Sequence, residues 1–252
     1  MKFTRHGFKE LLVGTLVLVL MASALGYFEL WWLALLTLPV LIWLWAFFRD
    51  PERPIPAHAG GRVTMVAPAD GKVSDVMELE SDPVIGEPSV RIGIFLSVFN
   101  VHINRSPCSG VVTEVTYRKG KFINALDHSK ASEENESNTI VISEQANPQR
   151  PVAVVRQIVG LIARRIICTK KVGDSVFRGE RFGMIKFGSR TELSIPRRLN
   201  PRILVEPGQK LRAGADVVAE VDGWGDTRRD GGREAAQVHD PEMEPLVQPT
   251  PS

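Results

Sequence analysis

Three short segments carry side chains that could together activate a hydroxyl. Ala67-Pro68-Ala69-Asp70-Gly71 sets a carboxylate in a tight turn between strand-like runs. Phe99-Asn100-Val101-His102-Ile103-Asn104 puts a histidine at the end of an apolar run. FGMIKFGSRTELSIP, residues 182–196, holds Gly188-Ser189 between two runs of strand character. A serine, a base to take its proton and a carboxylate to orient that base form a nucleophile set. Each segment also has a plain reading. Asp-Gly and Gly-Ser are turn pairs, and a strand-end histidine is commonly a hydrogen-bonded structural group. No Gly-x-Ser-x-Gly elbow is present, and the β-rich pattern does not suit an α/β hydrolase. A serine directly after a glycine has one further option. Its hydroxyl can attack the preceding peptide carbonyl, which the small glycine leaves accessible.

The elements that must position these groups fall into two classes. Leu11 to Phe28 and Leu30 to Phe48 are free of charge, with only Glu29 between them. Each is about 18 to 19 residues, close to the length that crosses a ~30 Å hydrocarbon core. Lys2, Arg5 and Lys9 precede the first run, and Arg49 and Arg53 follow the second. That bias predicts a transmembrane helical hairpin with both ends cytoplasmic. Pro39 leaves a re-entrant hairpin open, and Ala22-Ser23-Ala24 leaves signal-peptide cleavage open. The linker Pro51–Pro56 is proline-rich. From Val63 onward β-branched and aromatic runs alternate with Gly, Pro, Asn and Asp, which predicts a mainly β, sandwich- or barrel-like domain. Gln157 to Arg165 fits a short helix or a strand, and Asp127 to Asn138 reads as a loop. In Lys171 to Phe187, glycines 173, 179 and 183 are expected at positive-φ positions with Val176 packed inward, a layout shared with lipoyl- and biotinyl-type hammerheads. The expected organisation is a membrane hairpin over 1–50, a β-rich domain over 51–225 and a disordered tail over 226–252.

Composition narrows the function. Net charge is +2 over 252 residues, so no nucleic-acid partner is expected. Cys108 and Cys168 are isolated, with no metal-ligand spacing, so no metal is expected.

In the PADG turn at Asp70, the NVHINRSP run at His102, Asn135-Glu136, the block through FGSR and the later Pro207-Gly208 and Ala213-Gly214, the chain resembles the phosphatidylserine decarboxylases of the short bacterial branch. The resemblance covers about Pro51 to Gly225 and the membrane segment. It implies a proenzyme that cuts itself between Gly188 and Ser189. Ser189 attacks the Gly188 carbonyl, with His102 as base and Asp70 orienting it. β-Elimination then leaves a β chain, 1–188, and an α chain, 189–252, that together form a heterodimer. The α chain begins with a pyruvoyl group made from Ser189. That covalent cofactor forms a Schiff base with the amine of phosphatidylserine, takes up the electrons left by CO2, and leads to phosphatidylethanolamine. The expected setting is the cytoplasmic side of the cell membrane, with the bilayer as partner.

The chain departs from a second branch of that family in two places. It has Phe187-Gly188-Ser189-Arg190 where that branch has Leu-Gly-Ser-Thr, and Phe99 where that branch has a second histidine. A proton-donor role for that histidine does not carry over; His102 is the candidate, and His128 reads as a surface group. Arg197, Arg198, Arg202 and Lys210 are either lipid-headgroup contacts or a solvated face, and Phe122 and Ile123 beside Lys119 and Lys121 could lean on lipid. Two other readings stand beside this one: the same chemistry on an ether-linked, archaetidyl-type serine lipid, and a membrane-tethered hammerhead-like binding module. The second lacks a modifiable lysine at a hairpin tip.

Overall fold

The computed structural model describes residues 2–58, 61–123, 128–161, 165–186 and 189–224, without the side chains of 128, 129 and 131. Gly188, Phe187, the His128 side chain and the tail 226–252 lie outside the described residues. The chain divides into two units: Met1–Glu52 with Val98–Val101, and Arg53–Ser97 with the chain from His102 onward.

In the first unit α1 (Phe8–Tyr27) returns through α2 (Trp31–Ala34) and α3 (Thr37–Phe47). Its two ends are stitched together: Thr4 N donates to Phe48 O at 3.0 Å and Asp50 N to Lys2 O at 2.8 Å. Along the hairpin Trp45 Nε1 donates to Thr15 Oγ1 at 3.1 Å. Gly7 permits the close approach, since a Cβ there would meet the Phe48 ring at 2.0 Å. Only the first arm, Arg5–Tyr27, is by itself long and apolar enough to cross a membrane. The second arm, Trp31–Phe47, is shorter and is interrupted between α2 and α3. Pro39 lies in the first turn of α3, where its missing N–H removes no ladder bond, so it starts that helix without kinking it. Leu12, Leu16, Val17, Leu20, Trp32 and Leu36 are exposed. A helix apolar on every side needs a non-aqueous neighbour.

The second unit is mainly β. Among the described residues, eight antiparallel strands form one curled sheet in the order β13 (Lys210–Leu211), β2 (Gly71–Leu79), β3 (Ser89–Leu96), β11 (Ser189–Pro196), β7 (Pro151–Val159), β6 (Ser137–Ser143), β5 (Gly110–Arg118) and β9 (Ser175–Val176). Two smaller sheets accompany it: β4 (Ile103–Arg105), β10 (Arg181–Lys186) and β8 (Arg165–Cys168), and β1 (Val63–Val66), β14 (Val217–Val221) and β12 (Arg202–Ile203). Strand alternation sorts β11 into two faces. Leu193 and Ile195 join Ile92, Ile94, Ile140 and Ile142 in the core, so Arg190, Glu192 and Ser194 point to the other face.

Both described ends of the segment Gln157–Arg165 are strand, with β7 running through Val159 and β8 starting at Arg165; residues 162–164 lie outside the described set. β7 is paired on both edges, by β11 and β6, and its β-branched residues fit that setting. The 127–138 run is not all loop: α4 (His128–Glu134) forms there and β6 follows. Its anchor is tertiary, with buried Ser132 Oγ donating to Glu192 Oε1 at 2.6 Å. Val176 is buried, and Gly173 (φ 95°) and Gly179 (φ 80°) hold positive-φ positions. Gly183 does not. It sits in β10, and glycine is needed because a Cβ would lie 2.2 Å from the Ile167 carbonyl oxygen. Gly183→Ala is therefore expected to destabilise the protein by about 1–3 kcal/mol or more, read as a lower urea midpoint, whereas Gly26→Ala, with open space around it, leaves the midpoint unchanged.

Candidate active site

Ser189 opens β11 and is clamped by backbone pairing on both sides, to Leu96 of β3 and Val159 of β7. It is fully buried, and its Oγ has no hydrogen-bond partner among the described residues. Leaving a buried hydroxyl unsatisfied costs about 1–3 kcal/mol, and such a group calls for an explanation.

His102 is also fully buried and immediately precedes β4. Its carbonyl accepts from Ile185 N at 3.2 Å, which ties it to β10, the strand leading towards Ser189. Two residues on, buried Asn104 joins three of the segments. Its Nδ2 donates to Thr191 Oγ1 at 3.1 Å and to Pro68 O at 3.4 Å. Its Oδ1 accepts from Gln157 Nε2 at 2.9 Å. Thr191 lies two residues after Ser189 on the same face of β11, and Pro68 belongs to the Asp70 turn. The structure thus brings the serine strand, the histidine segment and the aspartate turn into contact through one amide.

Asp70 is buried, and both its oxygens are engaged. Arg53 Nη1 reaches Oδ1 at 2.5 Å and Nη2 reaches Oδ2 at 2.7 Å. Ala213 N adds a bond to Oδ1 at 2.9 Å, and Ala213 O accepts from Arg53 at 3.0 Å. A two-toothed guanidinium–carboxylate pair fixes orientation as well as charge. Sequence reasoning placed Arg53 only as a flank of the membrane segment. Nothing local marks it, because its partner lies 17 residues away across the proline linker. Ala213 of the Ala213-Gly214 pair, seen only as a motif, is the backbone cap on this carboxylate, while Gly214 N donates to Ala67 O at 2.9 Å.

The Asn135-Glu136 pair is a clamp on the strand beside Ser189. Asn135 Nδ2 donates to Val159 O at 2.9 Å and Glu136 O accepts from Val159 N at 3.0 Å. The Tyr117 phenol is pushed up to about 12, by burial first and by its bond to Glu136 next. Three of the basic residues after the serine have carboxylate partners. Arg197 pairs with Glu78 at 2.6 Å, Arg198 with Glu87 at 3.0 Å and Arg202 with Glu220 at 3.7 Å. Phe99 is 72 % exposed and Phe122 is 39 % exposed. Cys108 is buried and Cys168 partly so, and neither forms a disulfide among the described residues.

With this geometry in view, the sequence profile of the phosphatidylserine decarboxylases matches residues 40–219. The chain belongs to the phosphatidylserine decarboxylase family. It is therefore an enzyme by membership. A phosphatidylserine decarboxylase proenzyme of Rhodopirellula baltica is 47 % identical over 218 residues, 86 % of this chain and 87 % of that one. Proteins with the same name from Cupriavidus pinatubonensis, 41 % identical over 86 % of this chain and 94 % of its own length, and Solidesulfovibrio magneticus, 45 % over 83 % and 92 %, are similar throughout.

Within this family member, Arg190 has a structural answer to its departure from Leu-Gly-Ser-Thr. It points away from the Ser189 side, fully buried, and bonds Asp75 Oδ1 at 2.9 Å, Ser74 Oγ at 2.5 Å and Glu192 Oε1 at 3.0 Å. Burial pulls this guanidinium down, but Asp75 and Glu192 outweigh it and leave it above its ordinary value. Burial likewise pushes the Asp75 carboxyl up, and Arg190 and Ser74 overcome that and hold it below the ordinary value. A carboxyl depressed in the folded state contributes its stability above the unfolded value and loses it as pH falls through the folded one. Asp75→Asn is thus expected to cost about 1–3 kcal/mol at pH 7. The gap from the parent should close as unfolding is repeated below about pH 4; a gap that persists there would mean the carboxylate charge is not what holds the strand.

Proposed function

We propose that this chain converts phosphatidylserine to phosphatidylethanolamine and CO2 at a group made from its own Ser189, after cutting itself between Gly188 and Ser189. The observation that carries this reading is the buried, unpartnered Ser189 Oγ in a chain whose relatives are named proenzymes. In the cleavage step His102 takes the Oγ proton, and Oγ bonds to the Gly188 carbonyl carbon as the C–N bond breaks, giving an ester. Loss of the Ser189 Cα proton expels the Gly188 carboxylate, and water replaces the resulting imine nitrogen, which leaves as ammonia. Asp70 holds the His102 ring in its working orientation. Arg53 and the Ala213 amide keep the Asp70 carboxylate in place, so Arg53 is a positioning residue.

Ser189 fits conversion to a pyruvoyl group: its side chain is enclosed, and among the described residues its Oγ has no hydrogen bond to lose. Such a group supplies the carbonyl electron sink that decarboxylation beside an amine requires and that no ordinary side chain offers. In turnover His102 returns a proton to the substrate carbon that lost its carboxylate. The mature protein is a heterodimer of chains 1–188 and 189–252. The hairpin seats it in the cell membrane, with the β domain on the cytoplasmic side, so the lipid need not leave the bilayer.

Intact-mass measurement of the purified protein tests this. Two chains are expected, the smaller starting at position 189 without a free amine, and Ser189→Ala remains one inactive chain. A parent protein that persists at full gene-encoded mass would overturn the reading. Arg53→Gln is expected to slow self-cleavage by about 10- to 100-fold, the equivalent of one lost charged hydrogen bond. Arg53→Lys should recover part of that rate and shift the pH profile of cleavage, which a purely structural role would not do.

A further inference from the structure

On the face of β11 turned away from Ser189 lies a second polar site that the decarboxylation chemistry does not use. It is a cavity of about 210 Å³. Arg91 of β3, Arg118 of β5 and Arg156 of β7 reach it, with the hydroxyls of Ser137 and Thr139 and the Glu192 carboxylate at its floor. Asp82 stands at its edge, but its Oδ1 is taken up by the amides of Val84 and Ile85 at 2.9 and 3.2 Å. Three guanidiniums therefore face two carboxylates, Asp82 and Glu192.

The Glu192 carboxylate is already committed. Glu192 Oε1 accepts from Ser132 Oγ at 2.6 Å and from Arg190 Nε at 3.0 Å. Arg91 Nε stands 3.9 Å from Oε1 and Arg156 Nη1 3.8 Å from Oε2. Both are beyond hydrogen-bond reach. The partners these arginines do have are weak or neutral. Arg91 Nη2 meets the Met77 thioether at 3.2 Å, Arg156 Nη2 meets Ser137 Oγ at 3.2 Å, and Arg118 Nη2 meets the carbonyls of Ser132 and Asn135 at 3.2 and 3.3 Å. Arg91 Nε is buried with no hydrogen-bond partner. Burial first, and then the charges of Arg118 and Arg91, pull the Arg156 guanidinium below its ordinary value in spite of Glu192 and Asp82. Like charges gathered round a space, with buried donors unspent, describe a site built for an anion.

We propose that this cavity binds a phosphate group, held by the forks of Arg91, Arg118 and Arg156 and by the Ser137 and Thr139 hydroxyls. Three planar donors converging with hydroxyls match a tetrahedral oxyanion better than a single flat carboxylate. The volume accommodates phosphate with room for a substituent. The group could be free phosphate or the head of an anionic lipid, and the chemistry of capture is the same. Side-chain alternation on β11 separates this site from Ser189, so it stands whether or not the cleavage reading holds.

The test is calorimetric titration of the full-length detergent-solubilised protein, parent and Ser189→Ala alike, with inorganic phosphate and separately with dihexanoyl phosphatidic acid. Saturable binding is expected, weakened at least tenfold in Arg91→Gln/Arg156→Gln. Glu192→Gln, which removes a competing carboxylate, should tighten binding several-fold, a gain that misfolding cannot mimic. Arg118→Gln, at an exposed position, gives a milder loss in a protein whose fold is not at risk. Equal affinity for the two probes assigns free phosphate; a tenfold preference for the short-chain lipid assigns a lipid head. Absence of binding to both probes, or binding unchanged in the double variant, overturns the proposal.

Discussion

A run of buried amides holds the second unit's chemistry together. Asn138 Nδ2 donates to Gln157 Oε1 at 3.1 Å, Gln157 Nε2 donates to Asn104 Oδ1, and Asn104 Nδ2 reaches Thr191 and Pro68. All three amide residues are buried. In a low-dielectric interior such a chain strengthens its own links, and removing one member strands the rest. Apolar packing alone would let β4 and β11 slide relative to each other. The directional bond from Asn104 to Thr191 fixes where the His102 segment stands along the serine strand.

The opposite face of β11 supplies the counterforce. Arg190, directly after Ser189, is locked by Asp75 and Glu192, and β3 and β7 pair the same residues through the backbone. Ser189 therefore has little freedom in its main chain. That is the condition under which a neighbouring base and a scissile carbonyl can be held near attack geometry, and effective concentration, more than intrinsic reactivity, carries such a reaction. It also accounts for an arginine at a position where a related branch has threonine: its side chain serves the far face.

The candidate site residues could be named from the sequence because each sits in a short motif with its own local signal: Asp70 in a PADG turn, His102 at a strand end, Ser189 after glycine. The mainly β fold was legible from residue type and punctuation. What organises these parts was not. Asn104, Gln157 and Arg53 act on partners 87, 53 and 17 residues away, and nothing in a lone polar residue announces such a partner. α4 read as a loop for the same reason, since Ser132 is drawn in by Glu192, 60 residues on. Pro39 left a re-entrant hairpin open because its effect depends on which turn it occupies. The ion pairs of Arg197, Arg198 and Arg202 were not legible because their carboxylate partners belong to other strands or loops.

The connectivity of the two units bears directly on the site. The chain leaves the apolar hairpin unit at Glu52, and the next residue is Arg53, which grips Asp70. It returns to that unit for Val98–Val101 and leaves again at His102. Within the hairpin unit this returning loop is fastened, with Arg49 Nη2 donating to Phe99 O at 2.8 Å. Both departures thus end one peptide bond from a residue of the candidate site. Short connections leave little conformational slack, and neither Arg53 nor His102 has a linker between it and the end of the hairpin unit's chain.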